Sequence, residues 1–481
     1  MAFLISESSA DNKFNKIYSW QEKLEVACQA VLGKNVDAIA SETGMSRSHI
    51  YTQKASLLEK AENIDEASAK VPVLELTKEA IERIVLILSF ECQSPSAGIQ
   101  AFFEIICGIS VSAGRISNIL NEAAVRAQAY DDTIDLSGIN QMAVDEIFQC
   151  GKPILTGVDP ESTYTFLLEE SSDRTADTWA VYLDDKKEKG LQPEVSINDG
   201  GMGLMSGIPQ VFPEIEIQAD TFHALYDMGK EVSKLERKAH RLINTEHELE
   251  EKLAGKKPRS KHKETLENLR PTVESAIHMY DNIAILYCWL KMLLNFSGYS
   301  LIDTHILAEW VLHEMDLLAV GNQGLQKEIA KVRKLLPSLL SFVGRLERGM
   351  GVVADSMGVP IEAFQLMYRQ MSYSPDSEQG TEIHCNLINM LGEKCPEVQI
   401  AFQELLSTTK KASSLVENLN GRIRVFIEVK RVIPTRFFVL LKVFYNTRRY
   451  KRSRCEERVG KSPLELLTGV SQPDFLTVLG Y

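Results

Sequence analysis

A chain of 481 residues, 44% hydrophobic and 25% charged, is long enough for several hydrophobic cores, so two to four domains are expected. No apolar run reaches the length of a membrane span and no export-signal pattern opens the chain, which points to a cytoplasmic protein with no membrane partner. The eight cysteines stand singly, with no C-x-x-C and no Cys/His spacing suited to zinc, so neither a disulfide framework nor a zinc site is expected. The formal net charge of −13 disfavours a polyanion partner for the chain as a whole. Its distribution is uneven, however: Lys410–Lys461 holds fifteen Lys or Arg against four Glu, so a polyanion can touch that region.

Residues 1–62 carry a helix-turn-helix pattern. Trp20–Leu32 is periodic and ends at Gly33, and Val36–Thr43 is a short helix with small Ala40 where two helices must approach. Gly44 supplies the turn, and Met45-Ser46 caps a third helix over Arg47–Leu58 with Ile50 facing inward. In the DNA-binding form of this motif the third helix enters the major groove, which would present Arg47, Ser48, His49, Tyr51 and Thr52 to base edges. An ordinary three-helix bundle is the alternative. Ala61–Lys70, polar, alanine-rich and followed by Pro72, reads as a linker. Residues 63–135 form a second helical, helix-turn-helix-like unit. It starts at Thr77, carries Ile81, Ile84, Val85 and Leu88 on one stripe, and continues as Ser96–Cys107, a break at Gly108, and Ser112–Tyr130.

Over residues 136–225 the period changes from helical to strand-like. Met142–Phe148, Pro153–Val158 and Tyr164–Glu169 are three short strands, followed by a helix over Arg174–Lys189, a strand over Glu194–Asn198 and a strand over Glu216–Ala219. That order is the order of a ribonuclease H-like α/β core. Asp145 falls in the first strand and Asp199 just after the fourth, two positions that lie side by side at the centre of such a sheet. Residues 226–408 are helical throughout, with segments Lys230–Ala254, Glu264–Leu294, Thr304–Leu318, Gln326–Arg348 and Pro360–Tyr368. A structureless loop of that length is improbable, so this is a large all-helical insertion into the core, with a basic turn over Lys252–Lys263. Residues 409–481 open with a helix from Ala412 and continue as a basic helical tail. There Arg422, Arg424, Arg448, Arg449, Lys451 and Arg452 are candidate contacts to DNA phosphates. Taken alone, Ser414 and Glu417 read as a capping box. The core still lacks its last helix at this point, and that context makes Glu417 a third acid instead. The expected class is α+β and multidomain.

Asp145, the Asp199-Gly200 turn followed by Val211-Phe212-Pro213, and Val416-Glu417-Asn418-Leu419-Asn420 resemble three acidic motifs of one family. The family is that of bacterial insertion-sequence transposases of the DDE type, in particular mutator-like members with a helical insertion before the last core helix. Asp220-Thr221-Phe222-His223 is similar to that family's C/D-x-x-H motif, and Phe444–Arg449 with Gly460–Gly469 to its endings. The resemblance implies that Asp145, Asp199 and Glu417 hold two Mg²⁺ or Mn²⁺ ions, with Asp220 and His223 in supporting roles. Two such ions about 3.5–4 Å apart can clamp the attacking and leaving oxygens of a phosphodiester displacement. It also implies double-stranded DNA, both element ends and target, as partner, and at least a homodimer, since two ends are cut and joined. Two other classes compete: a transposase-derived DNA-binding regulator without catalysis, and a metal-dependent DNA nuclease on the same core.

Overall fold

The computed structural model describes residues 18–68, 76–254 and 260–481, which divide into two compact units, Met1–Ala80 and Ile81–Tyr481. In the first unit, α1 (Trp20–Val31), α2 (Val36–Thr43) and α3 (Arg47–Ser68) enclose a small core of Val26, Ala30, Ile39, Met45 and Ile50. Ser19 and Glu22 form a capping box at the start of α1, and Gly44 ends α2 in the left-handed conformation with φ +72°. The expected linker is a correction: α3 continues through it to Ser68, because its alanines favour a helix and neither Gly nor Pro interrupts it. The remainder of that stretch, with Pro72, lies outside the described residues.

The second unit includes most of α4 (Lys78–Phe90), then α5 (Ser96–Cys107) and α6 (Ala113–Asp131). Ile81, Val85, Ile99, Phe103, Ile116 and Ile119 give these helices a core of their own. Leu86, Phe90, Ala123, Ala124 and Ala127 instead join the core against the sheet.

The sheet is built from β1 (Gln141–Gln149), β2 (Lys152–Val158), β3 (Thr165–Glu170), β4 (Val195–Asn198) and β5 (Glu216–Ala219), with α7 (Ala176–Glu188) and α8 (Met202–Val211) in the connections. The strands lie in the order β3-β2-β1-β4-β5. The first three are antiparallel, whereas β1, β4 and β5 run parallel. Trp179, Leu183, Leu204 and Ile208 of α7 and α8 cover one face. The two helices approach closely enough that a Cβ on Gly207 would stand 2.6 Å from the Ala176 carbonyl oxygen.

The helical insertion comprises α9 (Thr221–Ala254), α10 (Ser260–Leu293), α11 (Leu301–Leu318), α12 (Gln323–Leu339), α13 (Ser341–Met357), α14 (Ile361–Gln370), α15 (Glu378–Leu391) and α16 (Cys395–Thr408) around one apolar core. Residues 255–259, within the basic turn, lie outside the described residues. The helix expected from Lys230 begins at Thr221, directly after β5. The single helix expected over Gln326–Arg348 is two, divided at Leu340. Pro337 near the end of α12 lacks an amide donor, and the break lets serines on both sides reach β5. Ser338 Oγ donates to the Ile217 carbonyl at 2.7 Å and accepts from the Ala219 amide at 2.8 Å, while Ser341 Oγ donates to Gln218 Oε1 at 2.7 Å. The free edge of β5 is thereby occupied.

α17 (Ser414–Lys430), α18 (Thr435–Thr447), α19 (Pro463–Thr468) and α20 (Phe475–Val478) complete the unit. The expected basic tail is in fact a core element: Phe437, Phe438, Leu441 and Phe444 of α18 pack on the second face of the sheet with Val416, Ile423 and Phe426 of α17. Buried Lys442 pairs with buried Asp131 at 2.7 Å. The Asn446 side chain accepts from the Thr165 amide and donates to the Thr165 carbonyl, both at 2.8 Å, satisfying the outer edge of β3. Among the described residues, no helix is long and apolar enough to cross a membrane.

Candidate metal centre

Strand register brings three aspartates into line. β1 pairs Ala143 with Ile197, and the same offset carries Asp145 onto Asp199. β4 pairs Asn198 with Ala219, and that offset carries Asp199 onto Asp220. One row thus runs from the middle of β1 across the carboxyl ends of β4 and β5. Glu417 joins from α17, which packs against β1 and β2 through Val416 and Leu419. The Ser414–Glu417 capping box does not form: Ser414 is the first helical residue, Ser413 is the N-cap, and the Glu417 amide donates to the Ser413 carbonyl at 3.2 Å. The Glu417 carboxylate is therefore available to the centre.

Asp145, His223 and Glu417 each offer one ligand atom, and these three atoms lie within 4.8 Å of one another. Asp145 is buried; its Oδ1 accepts from the Glu146 amide at 2.8 Å and its Oδ2 from Asn420 Nδ2 at 2.7 Å. Asn420 Oδ1 is buried without a hydrogen-bond partner among the described residues. His223 Nε2 stands 3.0 Å from Glu417 Oε1, and its Nδ1 2.9 Å from Asp220 Oδ2. Asp220 is fully engaged in holding this arrangement, because it also accepts from the Phe222 amide at 2.7 Å and from Ser413 Oγ. Asp199 stands beside the group and does not share its central point; its Oδ1 accepts from the Gly201 amide at 2.8 Å across a turn in which Gly200 has φ +80°.

The electrostatics follow from crowding. Burial pushes the Asp145 carboxyl up to about 7, and the negative charges of Asp199 and Glu417 add to it against the Glu146 amide and the positive His223. The hydrogen bond to Asp220 raises His223 to about 9 against its burial, with the charges of Asp220, Asp145 and Glu417 adding to the effect. At neutral pH the imidazole is thus protonated, and its positive charge sits between Asp220 and Glu417. Burial also raises Glu146, which Asp199 reinforces, although Arg174 pairs with that carboxylate.

Asn420 and Ser413 escaped the sequence reading as site residues. Asn420 lies one helical turn beyond Glu417, so the i, i+3 spacing was the available signal. The expected DNA-contact residues fall into groups. On α3, Arg47, Ser48 and Tyr51 are exposed, Arg47 pairs with Asp37, and His49 is half-buried with its ring 6.0 Å from that of Tyr18. Arg424 is exposed 3.8 Å from Glu417 Oε2, and the Arg422 guanidinium lies over the Tyr445 ring. Arg448 pairs with Glu91 at 2.7 Å and Arg449 binds Glu465 with two nitrogens, so both contribute to the fold; Lys451 and Arg452 are exposed. No known protein family matches the sequence, and no curated protein is significantly similar to it.

Proposed function

We propose that this chain is a DDE-type transposase on a ribonuclease H-like core, cutting and joining DNA ends by metal-dependent phosphodiester chemistry. The observation that carries the reading is the convergence of Asp145, Glu417 and His223 on one point beside the carboxyl ends of β4 and β5, with Asp199 next in the row. The strand order β3-β2-β1-β4-β5, followed by a helix that bears the last acid, supports the same core.

The donors fit a hard divalent cation. Asp145 and Glu417 supply oxygens, the Asp145 carboxyl is destabilised as an anion by burial and like charge, and Asn420 Oδ1 is a buried acceptor with no partner. Asp145, Glu417 and Asp199 would hold Mg²⁺ or Mn²⁺, which when bound would polarise a phosphodiester and lower the pKa of an attacking water. The chain's own residues do the rest. Asn420 fixes the Asp145 carboxylate in one rotamer through Oδ2, and the Glu146 amide fixes it through Oδ1. Asp220 holds His223 by Nδ1, leaving Nε2 aimed at Glu417 and able to hold or release a proton beside the acids. Arg424, exposed next to Glu417, is placed to meet a phosphate of the bound strand. The first unit is assigned to recognition of a defined duplex site, with Arg47, Ser48 and Tyr51 on the exposed side of its third helix.

The test has two steps: a search of the DNA flanking the gene for inverted repeats, and then metal-dependent nicking of a duplex that carries such a repeat, followed by joining to a second duplex. Nicking with joining supports the transposase reading. Nicking of any branched duplex without joining would assign a nuclease, and end-binding without nicking a regulator.

A further inference from the structure

We propose that the α10–α11 hairpin of the helical insertion is a dimerisation surface that takes the same hairpin of a second copy of this chain. Apolar side chains recur on one side of α10 at Ile285, Trp289 and Met292, the i, i+4, i+7 spacing of a helix face prepared for burial. α11 carries Ile302, Ile306, Trp310 and Leu317 at i, i+4, i+8 and i+15, again on one side of a helix. These positions do not face the insertion's own core, which α10 and α11 reach through Ile283, Leu286, Leu290, Ala308, Val311 and Leu312. Each helix therefore has two apolar sides, one covered and one bare. The rings of Trp289 and Trp310 stack across the seam with centroids 5.8 Å apart, which joins the two bare sides into one patch.

Size separates this patch from the scattered apolar residues of any surface. The seven side chains are 41% to 73% exposed. With a full surface on the order of 200 Å² each, they leave roughly 800 Å² of apolar area open to water. A monomer's largest apolar patch is usually only about 300–600 Å². A stable association buries about 800 Å² on each partner, so the patch equals one side of such an interface.

Its chemistry selects a second copy over other occupants. None of the seven residues is charged, and the neighbouring acids Glu309 and Asp316 are both bound by Arg333, at 3.2 and 2.6 Å. α11 has no Lys or Arg, and Lys291 is the one such residue of α10 beside the patch, so the patch has no basic cluster of the kind a lipid surface or a nucleic acid would require. A two-helix apolar face without charge is complementary to itself. Two hairpins related by a two-fold axis make a four-helix arrangement with both tryptophan pairs at its centre. Buried tryptophans of this kind carry most of an interface's binding energy.

The experiment is sedimentation velocity of the full chain from about 0.5 to 50 µM, without DNA or metal. The wild type is expected to be a dimer. The double variant Trp289→Lys/Trp310→Lys, and separately Ile306→Glu, should weaken association at least about a hundredfold. Ile388→Glu, on the exposed side of α15 in the same insertion, should leave it unchanged. Circular dichroism confirms that each variant is folded, and if the double variant is not, Ile306→Glu decides. A wild type that stays monomeric at 50 µM overturns the proposal, as do patch variants that dimerise like the wild type or an Ile388→Glu variant that dissociates as they do. Nicking of a single-end duplex is measured on the same samples. A monomeric wild type that nicks refutes the interface alone, and a dimer that does not nick refutes the catalytic reading alone.

Discussion

Replacing Glu417 by glutamine keeps the side chain's length and its helix propensity while removing a unit charge from the centre. Glu417 is three-quarters buried, its Oε1 lies 3.0 Å from His223 Nε2, and it caps nothing, so the fold has little to lose. A stability change within about 1 kcal/mol is expected, the range of substitutions that create neither a cavity nor an unpaired charge. The effect on a bound cation is larger. Against a divalent ion, a unit charge about 4 Å away at an effective dielectric near 20 contributes roughly 8 kcal/mol, more than half of which offsets the carboxylate's own desolvation. A net loss of about 3 kcal/mol corresponds to a fall of roughly a hundredfold in cleavage rate. The assay is Mg²⁺- or Mn²⁺-dependent nicking of an end-bearing duplex, with DNA binding measured in Ca²⁺ and thermal unfolding measured with and without Mn²⁺. The glutamine variant should bind DNA like the wild type, nick far more slowly, and gain less stability from Mn²⁺. Nicking within a factor of about three of wild type would remove Glu417 from the centre, since that is well under 1 kcal/mol of barrier.

Further outcomes follow from other contacts. Asp220→Asn removes the main support of the protonated His223, so the His223 pKa, read by NMR, should fall from about 9 toward 6.5. Because a raised histidine pKa stabilises the fold below its unfolded value and loses that contribution as pH rises through the folded value, the variant's deficit should be greatest near pH 6 and close above pH 9. Burial raises Glu465, but the Ser462 amide, Arg449 and the Gln472 amide outweigh it and bring the carboxyl down to about 2. Glu465→Gln should thus destabilise at pH 7 in chemical denaturation, with the difference closing as pH falls from about 4.5 to 2. Asn420→Ala frees Asp145 Oδ2 and should reduce both Mn²⁺-induced stabilisation and nicking, while the circular dichroism spectrum stays unchanged. Arg47→Ala combined with Tyr51→Ala should weaken binding to an element end more than to random duplex, and equal loss on both in a mobility-shift titration would count against base reading by α3.

Much of the fold was legible because periodicity is local. The strands around Asp145, the helix after Gly108 and the all-helical stretch beyond His223 were each marked by their own apolar spacing and by Gly or Pro at their ends. What escaped the sequence was decided at a distance. The division at Leu340 depends on serines reaching β5, which no residue within the helix announces. The basic density around α18 suggested a phosphate-binding tail, yet its phenylalanines pack on the sheet and several of its cations are held by Glu91 and by acids of α6 and α19. In the centre, Asp145 and Glu417 were legible as acids in the right elements. That His223 would share their point, and that Asp220 would be committed to Ser413 and His223, became visible only once β5 and α17 were adjacent.

The serines of the α12–α13 joint bear on any attempt to shorten this protein. β5 is four residues long, and its outer backbone groups are satisfied by Ser338, a side chain that belongs to the insertion. A minimal fragment that kept Asp220 and His223 but bridged from there directly to α17 would delete that guard and leave a bare strand beside the candidate centre. Bare strands recruit one another across molecules, so the excised core would be expected to polymerise through β5 before it could be assayed. Miniaturisation would succeed only if a replacement for Ser338, or a proline or lysine facing outward on β5, were built in together with the shorter connection.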